Sequence, residues 1–178
     1  MMINFIPLSS VNSLILFSIS EKSNPNTAAG AAQTIKNAKT AAKCLFENGV
    51  NVLGKKNGFT MSHQIVVDVR KYGGGQKLAF SLEDANIIVN KNLLPYDNQH
   101  NRSDPSGLRI GFQDITRRGF KADDIESLCS LMLDIIKGTR IPSEVKKDVT
   151  DLRKDFNKIE YGFQSVAEIK NYLRKTIQ

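Results

Sequence analysis

The stretch from Pro105 to Phe120 places three arginines and three glycines within sixteen residues, immediately before a strongly periodic helical segment. Its centre, Leu108-Arg109-Ile110, alternates apolar, charged and apolar side chains, which predicts a half-buried strand with Arg109 on the face opposite its neighbours. Gly107 and Gly111 bracket this strand. A planar, permanently charged guanidinium on such a strand favours two-point binding of a carboxylate or phosphate, whereas most isolated surface arginines are only solvated. The stretch predicts an anion site at Arg109.

Five helices are predicted, most of them from the apolar periodicity of amphipathic segments. They are a helix from Thr27 to Asn48-Gly49, a short one over 76–85, a strongly marked one over 122–137, one that begins at Pro142 with apolar positions in register as far as Ile159, and a last one that carries Val166 through Ile177. The helix over 122–137 has aspartates in its first turn and Gly138 at its end, and both stabilise helix termini. Stripes of this kind are typical of helices that cover a core.

Four short segments predict strands, at residues 51–53, 63–70, 86–89 and 108–110. Strands separated by helices predict an α/β or α+β two-layer domain, in which helices pack on one face of a small sheet. A chain of 178 residues is long enough for one such domain but not for a second full one. We divide it into an unassigned segment 1–25, a domain 26–140 and a helical extension 141–178.

Charge and cysteine content exclude several classes of protein. The net charge is +7, but the lysines are scattered and no aromatic or zinc-finger signature accompanies them, so no nucleic-acid binding is predicted. The N-terminal apolar runs are short for a bilayer span, so no membrane association is predicted. Cys44 and Cys129 lie on apolar helix stripes as small hydrophobic residues. Without a disulfide framework, they favour a reducing, cytoplasmic location.

Three further features have local interpretations. His63 begins a strand that also carries Asp68, but a metal site needs three or four converging ligands, so no metal is predicted. Tyr72-Gly73-Gly74-Gly75 lacks the lysine and the serine or threonine of a phosphate-binding loop, and it predicts a flexible turn before a helix. The polar segment that Asn90-Lys91-Asn92 opens and Pro105 ends is long for a loop, and loops of this length are usually functional.

Several motifs within residues 30–138 occur together in one order. They are Asn37-Ala38-Lys39, the segment from Ser62 to Arg70, the segment from Leu82 to Asn92, Ser106-Gly-Leu-Arg109-Ile-Gly111 and Thr116-Arg-Arg-Gly119-Phe120. In this order they resemble the C-terminal part of serine hydroxymethyltransferase. The resemblance implies the small C-terminal domain of a pyridoxal-phosphate enzyme with the aspartate-aminotransferase fold.

The resemblance also implies a reaction and a set of site residues. The family converts serine and a tetrahydropterin into glycine and methylene-tetrahydropterin. By resemblance, Arg109 binds the substrate carboxylate, Arg118 is a second arginine near the substrate, and Asn92 lies where the family contacts the pterin. His63 is placed with the substrate-binding residues, although a lone histidine at a strand entrance is more often structural. The implied partners are serine or glycine, the tetrahydropterin, and a large cofactor-binding domain or another copy of the chain.

Parts of the family pattern are absent from this sequence. The Schiff-base lysine of the family lies farther upstream than the residues that precede Arg109 here, so no catalytic residue is assigned. We expect that this chain alone does not bind pyridoxal phosphate. Phe112-Gln113 replaces a Thr-Pro pair, and residues 98–103 lack a segment that contacts folate. Two alternatives stay open: a fragment of a related β-hydroxy amino acid aldolase, and a non-catalytic domain that assembles with a full-length relative.

Overall fold

A computed structural model describes residues 25–98, 103–163 and 165–176. Apart from Pro25, the unassigned segment 1–25 lies outside them, as does Ile177 of the last predicted helix. The described helices are α1 (Pro25–Glu47), α2 (Gly75–Asp84), α3 (Gln113–Arg117), α4 (Ala122–Lys137), α5 (Pro142–Arg153) and α6 (Val166–Thr176). The described strands are β1 (Asn51–Val52), β2 (Gln64–Asp68), β3 (Asn90–Asn92) and β4 (Gly107–Gly111).

The four strands form one sheet in the order β1-β2-β4-β3, and every neighbouring pair is antiparallel. Successive side chains of a strand point to opposite faces, so one face of this sheet is apolar and the other is largely polar. The apolar face is buried beneath α1 and α2 and presents Val52, Ile65, Val67, Leu108 and Ile110. The expected α/β two-layer fold, a small sheet with helices on one face, is confirmed.

Helix α4 lies behind α1 and α2 and completes the core. Its Ile125, Met132 and Ile136 are buried, in the register that the periodicity predicts. The backbone N–H of Lys121 donates to the Asp124 carboxylate at 2.8 Å at the start of the helix, and Gly138 ends it with a left-handed φ of 69°. Both ends of α4 are therefore stabilised by the residues that the sequence indicates. No described helix combines the length and apolar character that a bilayer span requires.

The third strand lies later than residues 86–89, where the apolar run predicts it. Asn86 has a left-handed φ of 63° and, with Ile87, donates backbone hydrogen bonds to the last turn of α2, so the chain is still leaving the helix there. Ile87 is buried without strand pairing. The strand that pairs with β4 is Asn90–Asn92, which the sequence assigns to a loop. Because the side chains of Asn90–Asn92 are polar, no apolar alternation marks this segment as a strand, and its position is set by its pairing with β4.

One helix and one helical boundary also differ from expectation. Helix α3 is not predicted, because its five residues are too few to show a period. Helix α5 ends at Arg153, so Phe156 lies beyond it and contacts Phe120, with ring centroids 4.0 Å apart. Val145 and Val149 of α5 are buried in the same core as α4. The division of the chain at residue 140 stays a prediction.

Candidate anion-binding site

Arg109 occupies the centre of β4, one of the two interior strands. Its cross-strand neighbours are Val66 on β2 and Asn90 on β3, and its side chain lies with theirs on the face of the sheet opposite the one buried beneath α1 and α2. We call this surface the open face. Gly107 and Gly111, two residues away on either side, share that face. Arg109 therefore projects from hydrogen-bonded backbone. On its own face of β4, the positions before and after it are glycines without side chains.

The guanidinium of Arg109 is free of carboxylate partners within residues 25–98, 103–163 and 165–176. Three other arginines each pair with aspartate: Arg70 with Asp68, Arg118 with Asp114, and Arg140 with both Asp134 and Asp148. Arg109 is half-buried, so it is not an extended surface side chain. A half-buried arginine on rigid backbone without an ion partner is the arrangement that a bound anion would complete.

The nearest aspartate on the neighbouring strand is already engaged. Asp68 receives hydrogen bonds from the Nη2 of Arg70 at 2.8 Å and from the hydroxyl of Tyr96 at 2.7 Å. The Arg70 guanidinium also lies 4.3 Å from the centre of the Tyr96 ring. Burial alone would raise the pKa of Asp68, but the bonds from Arg70 and Tyr96 lower it to about 2. Asp68 therefore stays ionised and paired, and it leaves Arg109 to other anions.

His63 lies one residue before β2, near Arg109. Its carbonyl oxygen accepts a hydrogen bond from the backbone N–H of Phe112 at 2.9 Å, which extends the pairing of β2 and β4. Partial desolvation and the positive charge of Arg109 lower the pKa of His63. The imidazole is therefore neutral at pH 7 and adds no charge beside the guanidinium.

Asn92 ends β3 opposite Gly107, and its amide nitrogen donates to the carbonyl of Leu93 at 2.7 Å. The segment that follows is fixed at both ends by Asp97, whose carboxylate accepts the backbone N–H of Leu94 at 2.8 Å and that of Ser106 at 2.9 Å. The entry and exit of the long loop are thus held beside the open face.

Arg118 lies at the end of α3, where its Nε donates to Asp114 at 3.1 Å. Among the described residues, no contact joins Arg118 to Arg109. The two predicted substrate arginines therefore differ in state: Arg118 is paired within its own helical turn, and Arg109 has no ion partner in the part of the chain that the structure describes.

A buried polar network that the sequence does not reveal holds α3 in place. The Asn37 side chain is fully buried and donates to the hydroxyl of Thr116 at 2.9 Å and to the carbonyl of Phe120 at 2.8 Å. Thr116 in turn donates to the carbonyl of Phe112 at 2.6 Å. Asn37 and Thr116 both belong to the quoted motifs, but only the fold shows that they bond to each other across α1 and α3.

The N–H groups of the glycine turn before α2 are occupied by residues that precede β4 in the same chain. The backbone N–H of Gly75 donates to the carbonyl of Pro105 at 2.8 Å, and the Asp104 carboxylate lies 3.4 Å from the backbone nitrogen of Gln76. A Cβ at Gly75 would overlap the carbonyl oxygens of Pro105 and Gly107. The glycine is therefore needed for close backbone contact with the start of β4, and the N–H groups of the turn are not open to a phosphate.

Among the described residues, the glycine turn before α2 does not offer free backbone N–H groups to the phosphate of a cofactor. The helix terminus that resembles a phosphate cradle is occupied by Asp104 and Pro105. Within the same part of the chain, no three histidine, cysteine, aspartate or glutamate side chains come together as metal ligands would. What the open face offers is one guanidinium that fits a carboxylate.

The two-layer fold is that of a small domain from an aspartate-aminotransferase-fold enzyme. An L-threonine transaldolase from Pseudomonas fluorescens has a similar structure, with a TM-score of 0.68 and 26% identity over 85% of this chain and 34% of that one. The family model of serine hydroxymethyltransferase matches residues 7–132, most of the chain. This chain belongs to the serine hydroxymethyltransferase family.

Relatives within the family extend the match and show how much of an enzyme it represents. The chain is 47% identical over 148 residues to a serine hydroxymethyltransferase from Saccharolobus islandicus (strain M.14.25 / Kamchatka #1), which is 83% of this chain and 34% of the relative. It is 49% identical over 135 residues to one from Methanopyrus kandleri, which is 76% of this chain and 32% of the relative. The chain therefore spans about a third of the length of the relatives that it matches.

Proposed function

We propose that this chain is the C-terminal portion of a serine hydroxymethyltransferase-like enzyme, in which Arg109 binds the carboxylate of serine or glycine. The observation that carries the proposal is the state of the Arg109 guanidinium, which projects from an interior strand without a carboxylate partner among the described residues. A forked cation in that state can accept a ligand carboxylate through two parallel hydrogen bonds without first breaking an internal ion pair.

In the complete enzyme, as proposed, serine and a tetrahydropterin give glycine and methylene-tetrahydropterin. Pyridoxal phosphate would supply the electron sink for that reaction, and a large domain would hold it. The part assigned to this chain is to bind and orient the amino acid. His63 is neutral at pH 7 and can exchange a hydrogen bond with the bound substrate without adding charge. We expect the chain alone to be inactive.

Two further residues are proposed to help at the edges of the site. Arg118 would approach the substrate only by loosening its bond to Asp114, so we expect its replacement to weaken binding less than replacement of Arg109 does. Asn92, at the end of β3 beside the long loop, would contact the pterin. This division assigns the amino acid to β4 and the pterin to β3 and the loop that follows.

The test is a chimera in which residues 30–153 of this chain, through the end of α5, replace the matching segment of the Saccharolobus islandicus enzyme. Glycine is titrated into the chimera, and the absorbance change of the cofactor reports binding. Arg109→Lys keeps the charge but loses the two-point hydrogen bond. Its affinity for glycine should fall by about 2 kcal/mol, or more than about tenfold.

Arg140→Lys is the matched control, because Arg140 undergoes the same chemical change but is paired with Asp134 and Asp148 between α4 and α5. It should leave the dissociation constant of glycine unchanged. Equal dissociation constants for Arg109→Lys and the parent chimera would refute the assignment. Loss of folding in Arg109→Lys would instead make Arg109 a structural residue.

The similarity to an L-threonine transaldolase favours a second candidate, a related enzyme that acts on β-hydroxy amino acids without a pterin. The two candidates differ at Asn92. If the pterin binds there, Asn92→Ala in the chimera should raise the KM for tetrahydrofolate and leave the KM for serine unchanged. An unchanged KM for tetrahydrofolate in that variant would favour the second candidate.

A further inference from the structure

Gly111, at the end of β4, is a glycine that the fold does not require. Of the twelve glycines, eight have a left-handed φ, and at Gly30, Gly75 and Gly107 a Cβ would lie only 2.4–2.8 Å from a neighbouring atom. Gly111 has neither constraint. Among the described residues other than its chain neighbours, a Cβ there would meet only the Oε1 of Gln113, at 3.4 Å. An unconstrained glycine weakens a strand, and it often marks a place where a ligand approaches the backbone closely.

The surroundings of Arg109 give this space a direction. Gly107 and Gly111 lie on either side of Arg109 on the open face, but only one of these positions is covered. Leu94 is 4% exposed, and its Cδ2 would lie 2.5 Å from a Cβ at Gly107, so this side chain fills the space there. Among the described residues, no side chain fills the space over Gly111 in the same way. A ligand whose carboxylate is bound by Arg109 can therefore extend over Gly111 but not over Gly107.

Two glutamine side chains flank the bare backbone of Gly111. Gln64 is its cross-strand partner on β2, so the half-buried side chain of Gln64 lies on the same face. Gln113 begins α3 and brings its amide oxygen to the edge of the space. Within residues 25–98, 103–163 and 165–176, neither side-chain amide has a hydrogen-bond partner. Because an amide both donates and accepts hydrogen bonds, this pair suits a ligand hydroxyl.

We propose that the backbone of Gly111 is the floor of a subsite for the hydroxyl-bearing side chain of a small β-hydroxy amino acid, with Gln64 and Gln113 as its polar walls. This inference rests on the proposed function, in which Arg109 binds the carboxylate of the same ligand. The missing Cβ leaves room for the carbon of the side chain, and the two amides bond to its hydroxyl. Gly111 is then a specificity-determining residue, because serine fills the subsite and glycine leaves it empty.

The test compares the binding of serine and of glycine to the same chimera by calorimetry, without added pterin. Gly111→Ala should fold, because the added methyl group meets only the flexible end of Gln113, and its melting temperature should be no lower than that of the parent. Its affinity for serine should fall by about tenfold, because the methyl group occupies the subsite. Its affinity for glycine should change by less than about twofold, because glycine does not reach the subsite.

Two further variants separate an effect on the ligand from an effect on the fold. Gly107→Ala is the matched control, because the same chemical change on the same strand would force Leu94 out of its place, and it should lower the melting temperature. Gln113→Ala removes one amide at an exposed position and leaves the backbone of β4 untouched. It should weaken serine binding by about fivefold, the effect of one lost hydrogen bond, and leave glycine binding unchanged.

Three results would overturn the subsite. An equal fall in the affinities for serine and glycine in Gly111→Ala would mean that the methyl group disturbs the carboxylate site or the contact with the large domain. Unchanged serine binding would mean that no ligand lies over Gly111, and loss of folding in Gly111→Ala would make Gly111 a structural glycine. The proposed function is judged separately: if Arg109→Lys weakens both ligands while Gly111→Ala weakens neither, Arg109 keeps its role and the subsite does not exist.

Discussion

At the scale of single residues, Asp68 should make the stability of the chain depend on acid pH. Its pKa is about 2 in the folded protein and about 3.9 in an unfolded chain, so its ionic stabilisation is complete above pH 4 and is lost as the pH falls towards 2. Because Arg70 is more than half exposed, we expect Asp68→Asn to cost only about 1–2 kcal/mol at pH 7. Urea unfolding between pH 2 and 7 measures this.

Asp84→Asn, at an exposed position of α2, is the matched control for Asp68→Asn. The Asp68→Asn variant should lose most of the steep decline in unfolding free energy between about pH 4 and pH 2, whereas the control should retain it. Parallel curves for the wild type and Asp68→Asn would show that the bonds from Arg70 and Tyr96 do not stabilise the fold.

The same residues show what sequence reasoning reaches at this scale. The face to which Arg109 points follows from the alternation of three side chains, and the register of β4 agrees with it. That Arg109 has no carboxylate partner among the described residues does not follow from the sequence, because Asp68 is held by Tyr96, which lies in a loop without any periodic pattern. Contacts between a strand and an irregular loop cannot be predicted from the local spacing of residue types.

At the scale of elements, α4 can be tested through one buried and one exposed position. Met132 is 1% exposed, so Met132→Asp places an unpaired charge in the core and should cost roughly 3 kcal/mol or more. Ser130→Asp makes the same addition on the exposed side of the helix and should change the unfolding free energy by less than about 0.5 kcal/mol. Thermal melting compares them, and an unchanged melting temperature for Met132→Asp would mean that this face of α4 is not buried.

Elements with a strong period are the ones that the sequence locates well. Helix α4 spans the predicted residues because its apolar stripe, acidic first turn and terminal glycine agree with one another. Strand β3 does not, because Asn90–Asn92 is polar and is a strand only through its pairing with β4.

At the scale of the whole molecule, the chain should not form a stoichiometric imine with pyridoxal phosphate. The chain spans about a third of its relatives' length, and the family resemblance implies that the Schiff-base lysine lies outside the matched part. Among the described residues, Asp104 and Pro105 fill the glycine turn that resembles a phosphate cradle. Borohydride reduction followed by mass spectrometry should show at most scattered, partial labelling of surface lysines. The Saccharolobus islandicus enzyme, treated in the same way, is the positive control. One lysine labelled to completion in this chain would contradict the expectation.

The architecture as a whole is more predictable than its site. Alternation of strand and helix signals leads to a two-layer domain, and the order of motifs leads to the family. The state of each side chain at the open face depends on which groups the fold brings beside it, as for Arg118 and Asp114. From the sequence alone, many other residues could serve equally well as the partners of these side chains, so the pairings cannot be predicted.

The two edges of the sheet are its shortest strands, with two residues in β1 and three in β3, while both five-residue strands are interior. An edge strand exposes unpaired backbone groups to which another chain can add a strand, and this addition is a common route to aggregation. Here each edge offers only a few such groups, and Lys91 places a charge in the middle of β3. The chain is therefore protected against growth of its sheet into fibrous assemblies, even though one face of that sheet is open.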